Sequence, residues 1–373
     1  MALDFLDEGL AELERTGLLR VEAPVELASE LIDVCSNDYL GYGRRTVSRE
    51  TLPEATSGAG ASRLIHGSRA EHHALEGELA SWVGLPRALL FSSGYAANVG
   101  VITALVRPGD LVASDALNHA SIVDGSRLSR ADLAIYPHLD LAAAEQALSR
   151  PRPSGRRWLV TESYFSMDGD APDLPALADL CRRTGAGFIV DEAHALGVHG
   201  PSGSGLCAAT GVVPDALIGT LGKAVGAQGA FVAGAANLRA WLWNRARSLV
   251  FSTAGSPLLA ALTLANVREV RRDDAARAHL RALHDRFVET LAPADVEVPP
   301  HLPGPIVPIL LGSNERAVRV AERVRAQGFL VQPIRPPTVP PGTARLRLTL
   351  HATMPAEQVT ALARAIALAC AAS

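Results

Sequence analysis

The chain has 373 residues and a formal net charge of −4, with 48% hydrophobic and 20% charged residues. That profile belongs to a globular protein able to bury a large core, and the length favours two domains or one large α/β domain with an appendage. Interspersed arginine and acid advertise no basic face for nucleic acid, and no apolar run reaches membrane-spanning length.

The start, MALDFLDEGLAELER, is acidic and amphipathic and does not read as a signal peptide. Residues 3–20 are predicted as a short helix that packs on a body. From about residue 87 to 234, β-rich runs alternate with helical stretches. ALLFSS (88–93) precedes GYAANVGVITAL, LVASD (111–115) precedes HASIVDGSRLS, AIYPH (134–138) precedes LAAAEQALS, and RWLVTES (157–163) precedes PALADLCRRTG. GFIVDEA (187–193), ALIGTLG (216–222) and AFVAG (230–234) complete seven strands. Strands that are apolar throughout and separated by helices predict a mainly parallel sheet covered on both faces. The Pro-rich stretch 296–305 breaks this pattern. Beyond it come PIVPILL, a helix with Ala317, Val320, Ala321 and Val324 on one face and Gly328 at its end, the strand ARLRLTL (344–350), and a last helix starting near Pro355. The predicted organisation is an N-terminal arm (1–36), a large α/β domain (37–270) and a smaller α+β domain (271–373). Four widely spaced cysteines read as reduced thiols of a cytosolic protein.

Several motifs mislead. DEAH at 191–194 names a helicase class, but the required phosphate loop is missing: Gly222-Lys223 is followed by Ala224, and Leu217 stands where the first glycine should be. GAGAS (58–62) lacks the third glycine of a dinucleotide fingerprint. Neither His194 with His199 nor His72 with His73 has zinc-ligand spacing, and there is no G-x-S-x-G elbow.

The informative residue is Lys223, the only lysine; the other 34 long basic side chains are arginine. Arginine stays protonated, whereas a desolvated lysine can lose its proton and attack a carbonyl. Lys223 follows the strand 216–222, at the edge where open α/β sheets place ligands, and Asp191 ends the strand 187–193 at a comparable edge. Pyridoxal phosphate needs such a pair: a lysine to hold it as a Schiff base and a carboxylate to keep its pyridine nitrogen protonated. SSGYAAN (92–98) supplies helix N-terminal amides for a phosphate. His119 could cap a helix, sit in the core, or lie over a cofactor ring.

The set SNDYLGYG, GAGASRLIHGSRAEHHALE, SSGYAAN, NHASIVDG, TESYFSMDGD, DEAHALGVHG, TLGKAVGAQG and IRPPTVPPGTARLRLTL, in this order from about residue 35 to 352, resembles the α-oxoamine synthases. These are pyridoxal-phosphate enzymes of the aspartate-aminotransferase fold (fold type I). The resemblance implies that Lys223 carries the cofactor and later removes the amino acid's α-proton. It also implies that Asp191 pairs with the pyridine nitrogen, His194 bonds the phenolic oxygen and His119 stacks on the ring. Gly94, Tyr95 and Thr220, with Ser252 or Thr253 of a second subunit, would bind phosphate. Ser166 and Glu162 fall in the family's strand-end segment of the active site. Arg347 would clamp the substrate carboxylate, Thr338 would line the substrate site, and Asn37 would reach the neighbouring subunit's substrate. Judged without the family, Arg347 reads as a surface arginine on a strand.

The GASRL string and the 334–350 segment favour the branch that condenses L-alanine with a pimeloyl thioester, of coenzyme A or acyl carrier protein, in biotin synthesis by a cytoplasmic homodimer. A glycine-using synthase with a shorter acyl donor stays open. So do two readings of other classes, a transaminase and a non-catalytic cofactor-binding regulator. The short segment 44–56 and the short arm depart from the family and leave acyl length and carrier open.

Overall fold

The computed structural model describes residues 3–19, 30–48, 52–152 and 154–373. Residues 20–29 of the arm and 49–51 of the short 44–56 segment therefore lie outside the described residues. The chain divides into a larger unit, 37–166 with 170–279, and a smaller one, 1–36 with 167–169 and 280–373. The arm is thus grouped with the C-terminal part of the chain, and the main division falls after His279.

The larger unit is built on seven strands: β1 (Arg87–Phe91), β2 (Leu111–Asp115), β3 (Asp132–Tyr136), β4 (Arg157–Glu162), β5 (Gly187–Asp191), β6 (Ala216–Thr220) and β7 (Ala230–Gly234). Their order is β1-β7-β6-β5-β4-β2-β3. All neighbours are parallel except those of β7, which runs antiparallel to β1 and β6. Every residue of β2, β6 and β7 is buried, as expected for a sheet covered on both faces. The third strand lies two residues earlier than its sequence suggested, because Pro137 has no N–H to continue the ladder. The other strands that feed the site also stop one or two residues short of the predicted runs, where the chain turns into caps and loops.

Side-chain caps set the helix starts. Ser93, Asp140 and Asp173 accept from the amides of Ala96, Ala143 and Ala176, so helices begin at Gly94, Leu141 and Leu174. The core includes Leu89, Val101, Ile102, Val112, Ile122, Val160, Ile189, Ile218 and Val232. Burial of each such side chain contributes about 1.5–3 kcal/mol.

The smaller unit contains an antiparallel sheet of β8 (Ile306–Gly312), β9 (Pro333–Ile334) and β10 (Ala344–Thr349), in the order β9-β10-β8. Helix Asn314–Arg325 buries Ala317, Val320, Ala321 and Val324, the face its sequence predicted. On β10, strand alternation puts Arg345, Arg347 and Thr349 on one face and Leu346 and Leu348 on the other. All six residues of β10 are buried, so Arg347 is not the surface arginine that composition alone suggested. No helix among the described residues is long and apolar enough to cross a membrane.

His138, just after β3, ties two loops of the larger unit together. Its Nδ1 lies 2.8 Å from Asp115 Oδ1 and its Nε2 3.0 Å from Asp170 Oδ2. The ring of Phe165 meets it edge-on, with centroids 4.4 Å apart. Burial opposes the charged ring, but hydrogen bonds and charges from Asp115 and Asp170 outweigh it and push the pKa up to about 10. A raised histidine stabilises the fold fully below its unfolded value of 6.5, and that contribution is lost as pH rises through about 10. His138→Gln should therefore lower Tm at about pH 6, with the deficit closing as the wild-type ring titrates. Thermal melts across this range check it; a deficit independent of pH would contradict the ionic clamp.

Candidate active site

The side chains gathered in the larger unit stand at the carboxyl ends of parallel strands. Asp191 ends β5, with Glu162 of β4 and Ile218 of β6 as its register partners. The Asp191 carboxylate is buried, 5% exposed, and each oxygen accepts a hydrogen bond. Oδ2 takes one from Asn98 Nδ2 at 2.7 Å and Oδ1 one from the amide of Ala193 at 2.8 Å. Two donors to one carboxylate favour its anion, and a bond of this charged kind is worth about 1.5–3 kcal/mol. Asn98 sits on helix Gly94–Leu105 and also donates to Ser121 Oγ at 3.0 Å.

That hydroxyl lies 2.7 Å from His119 Nδ1, which also accepts from the amide of Ser121 at 3.2 Å. His119 is therefore the N-cap of helix Ala120–Ser129. Burial is the main cause that lowers its pKa; the Asp191 charge raises it and that of Lys223 lowers it. The ring is a neutral imidazole within electrostatic reach of both. The capping role and a place beside Asp191 and Lys223 coexist.

Lys223 occupies the loop after β6. Its Nζ is 2.7 Å from His194 Nε2, and His194 Nδ1 is 2.6 Å from the hydroxyl of Tyr39. Tyr39 donates in turn to Asn37 Oδ1 at 3.2 Å. One assignment satisfies the chain: Tyr39 gives its proton to Asn37, His194 gives its Nδ1 proton to Tyr39, and Nε2 is left to accept from the amine. The loop is fixed at Gly226, which has φ +65°; a side chain there would collide with the backbone of Tyr42 and Gly43.

The helix that carries Asn98 offers a phosphate cradle. Ser93 satisfies the amides of Ala96 and Ala97, leaving those of Gly94 and Tyr95 as first-turn donors. Thr220 Oγ1 lies 4.0 Å from where a side chain on Gly94 would start, which sets the hydroxyl beside that turn, where it donates to the Gly229 carbonyl and accepts from the Gly222 amide, each at 3.4 Å. The Tyr95 ring leans outward, its hydroxyl donating to Asp124 Oδ2 at 2.6 Å.

The remaining predicted residues stand elsewhere. Ser252 and Thr253 line a cavity with Arg63, Ser92 and Gly229, where Thr253 pairs with Ser62 in a lone β-bridge. Ser166 is half-buried at the start of the 166–168 turn. Arg347 and Thr338 belong to the smaller unit. There Arg347 Nη1 donates to Thr349 Oγ1 at 2.9 Å, and Thr338 lines a cleft with Leu19, Gln332 and Pro336. Sequence reasoning missed Asn98, Ser121 and Tyr39. All three lie inside quoted motifs, and that membership was the available signal.

A primary amine held on an imidazole, a buried carboxylate with two donors, a neutral ring beside both and a helix N-terminus with a hydroxyl neighbour form the donor set that pyridoxal phosphate requires.

Comparison with known proteins agrees. The model of the family "Aminotransferase class I and II" matches residues 29–366. The 8-amino-7-oxononanoate synthase of Anaeromyxobacter dehalogenans strain 2CP-1 is 46% identical, over 98% of this chain and 95% of that protein. Among solved structures, a serine palmitoyltransferase from S. paucimobilis with bound PLP and myriocin is similar at TM-score 0.87 and 25% identity, covering 100% of this chain and 98% of that one. The 8-amino-7-oxononanoate synthase of Francisella tularensis is similar at TM-score 0.77 and 28% identity, over 91% and 98% of the two chains. The chain belongs to the aminotransferase class I and II family, on its α-oxoamine synthase branch.

Proposed function

We propose that the chain is a pyridoxal-phosphate-dependent 8-amino-7-oxononanoate synthase, which joins L-alanine to a pimeloyl thioester and releases carbon dioxide and the thiol. The observation that carries this reading is the lone primary amine, Lys223, held 2.7 Å from His194 in the unit that buries Asp191. The same names recur among relatives 42–46% identical over most of the chain.

The cofactor, when bound, supplies an electron-accepting ring that stabilises negative charge on the amino acid's α-carbon. Asp191, fixed by Asn98 and the Ala193 amide, would hold an anion against the ring nitrogen. His119 would cover the ring face, and the Gly94 and Tyr95 amides with Thr220 would hold the phosphate. Lys223 Nζ accepts the α-proton; His194 Nε2 receives the hydrogen bond that aims the amine, and Tyr39 and Asn37 keep that imidazole from turning. With the cofactor bound, the other tautomer, its proton on Nε2 and its Nδ1 accepting from Tyr39, would let His194 donate to the ring's phenolic oxygen. Arg347 is assigned to the amino acid carboxylate, for which a planar fork is suited. Thr338 and Ser166 are assigned to the substrate site.

The protein is read as a cytoplasmic homodimer in which Ser252 or Thr253 of one copy reaches the other's phosphate site and Asn37 the other's substrate. The acyl donor is pimeloyl coenzyme A or pimeloyl acyl carrier protein.

Lys223→Arg should lower turnover by roughly 10³-fold or more while circular dichroism stays native, since arginine keeps the charge but cannot accept the proton. Borohydride should fix the cofactor to Lys223 in the wild type, located by peptide mass; a colourless protein that cannot be loaded would sink the cofactor assignment. Arg347→Lys should raise KM for the amino acid by about 10-fold or more with a smaller change in kcat, because the bidentate grip is lost. Thiol release measured with alanine, glycine and serine against a ladder of acyl thioesters should favour alanine with the pimeloyl donor. Preference for glycine with an acetyl donor would replace this reading by that of a glycine C-acetyltransferase.

A further inference from the structure

One buried titratable side chain at the sheet edge has no part in the chemistry above. Glu162 ends β4 directly opposite Asp191 in the parallel register of β4 and β5. Register partners on adjacent parallel strands project to the same side about 5 Å apart, so two carboxyl groups are placed next to each other by the ladder itself. Glu162 is 3% exposed and Asp191 5%. Two neighbouring carboxylates with so little water cannot both ionise at neutral pH without a large cost.

Hydrogen bonding decides which one keeps the proton. Asp191 has a donor on each oxygen, from Asn98 and from the Ala193 amide. Glu162 has a donor on Oε1 alone, the backbone amide of His119 at 2.6 Å. No hydrogen bond reaches its Oε2 among the described residues. With Oε2 bonded to no protein donor, ionisation would add a second negative charge beside Asp191 that no protein group stabilises at that oxygen, whereas the neutral acid adds none.

We propose that Glu162 is a neutral carboxylic acid, a positioning residue that anchors the His119 turn through Oε1 and leaves Asp191 as the single anion of the pair. Its bond holds the amide of the residue whose ring lies beside Lys223 and Asp191. Because it stays uncharged, the ring-nitrogen partner faces no second anion, and a ligand with one cationic centre meets one carboxylate rather than two. Four groups act on Glu162: Asp191 and Asp115 disfavour its charge, and Lys223 and the His119 amide favour it. Burial is the largest influence, and together they push its pKa up to about 8. Only the identity of that ligand rests on the function proposed above; the protonation state does not.

The test is infrared difference spectroscopy on the full chain, with and without added pyridoxal phosphate. Wild type minus Glu162→Gln should show the carbonyl band of a protonated carboxyl at about pH 6.5, lost with a midpoint near 8. Asp191→Asn removes the neighbouring charge and should move that midpoint down by about one unit or more. Absence of the band, or a midpoint indifferent to Asp191→Asn, overturns the proposal. Should Glu162→Gln fail to fold, wild type carrying carbon-13 at the glutamate carboxyls gives the same answer by NMR; no glutamate titrating above pH 7 would overturn it. Stability supplies a second reading: a raised carboxyl stabilises fully below its unfolded value of 4.5 and loses this as pH rises through about 8. The Tm of wild type relative to Glu162→Gln should fall across that interval, and a constant difference counts against the proposal. Each readout is independent of turnover, so failure of the alanine and pimeloyl assignment would leave the result standing.

Discussion

The parallel register of β4, β5 and β6 is the constraint from which the site follows. Parallel strands all end on the same edge, so Glu162, Asp191 and Thr220, at three strand ends, arrive together without any loop having to carry them. The helices that cross between parallel strands begin at that edge as well, which brings the N-termini at Gly94 and Ala120 to it. Asn98 sits a turn inside its helix and donates to Asp191, and Ser121 links it to His119. Two helix starts and a strand end are thus locked by four side chains. The antiparallel strand β7 serves a different need: it returns the chain next to β6 and pins the Lys223 loop between two strands.

The solitary lysine makes sense beside what arginine does in the same molecule. Arg277 spans Gly197, Val270 and Arg271 carbonyls and the Asp274 carboxylate, Arg63 pairs with Glu76, and Arg345 pairs with Asp168. Each is buried, and each uses the several fixed donors of a guanidinium. An ammonium could not satisfy such arrays. Where the partner is one imidazole nitrogen and the task is to give and take a proton, the preference reverses, and Lys223 stands alone.

Much of the fold was legible because its strands are unbroken apolar runs and its helices carry caps. The pairing of Lys223 with Asp191 could be read from two strand ends. Other features could not be read so directly. The strand 132–136 was displaced because Ile135 and Tyr136 look equally at home in the middle or at the end of a run; only Pro137 marks the stop. Arg347 looked like a surface residue because strand alternation separates it from Leu346 and Leu348, yet β10 is buried on both faces. Tyr39 and Asn98 were invisible as site residues for a common reason: their partners, His194 and Asp191, are far away in sequence, and a hydrogen bond between distant segments leaves no local pattern.

The string DEAH shows how one residue's displacement along a strand end decides chemistry. Asp191 and Glu192 are adjacent acids, and strand alternation sends their side chains to opposite sides. Glu192 is completely buried and receives Ser163 Oγ and the amides of Leu206 and Cys207, so it anchors the 205–207 turn and takes no part at the sheet edge. Gly205, with φ +99°, lets that turn close over the carboxylate, which a side chain there would strike. Neighbours in sequence therefore do not compete for a proton, whereas Glu162 and Asp191, brought together only by the ladder, do. Two residues on from Glu192, the chain has left the strand, and His194 turns to the lysine. The helicase-like spelling is a by-product of three unrelated demands: an anion at the edge, a loop anchor behind it, and an imidazole for the amine.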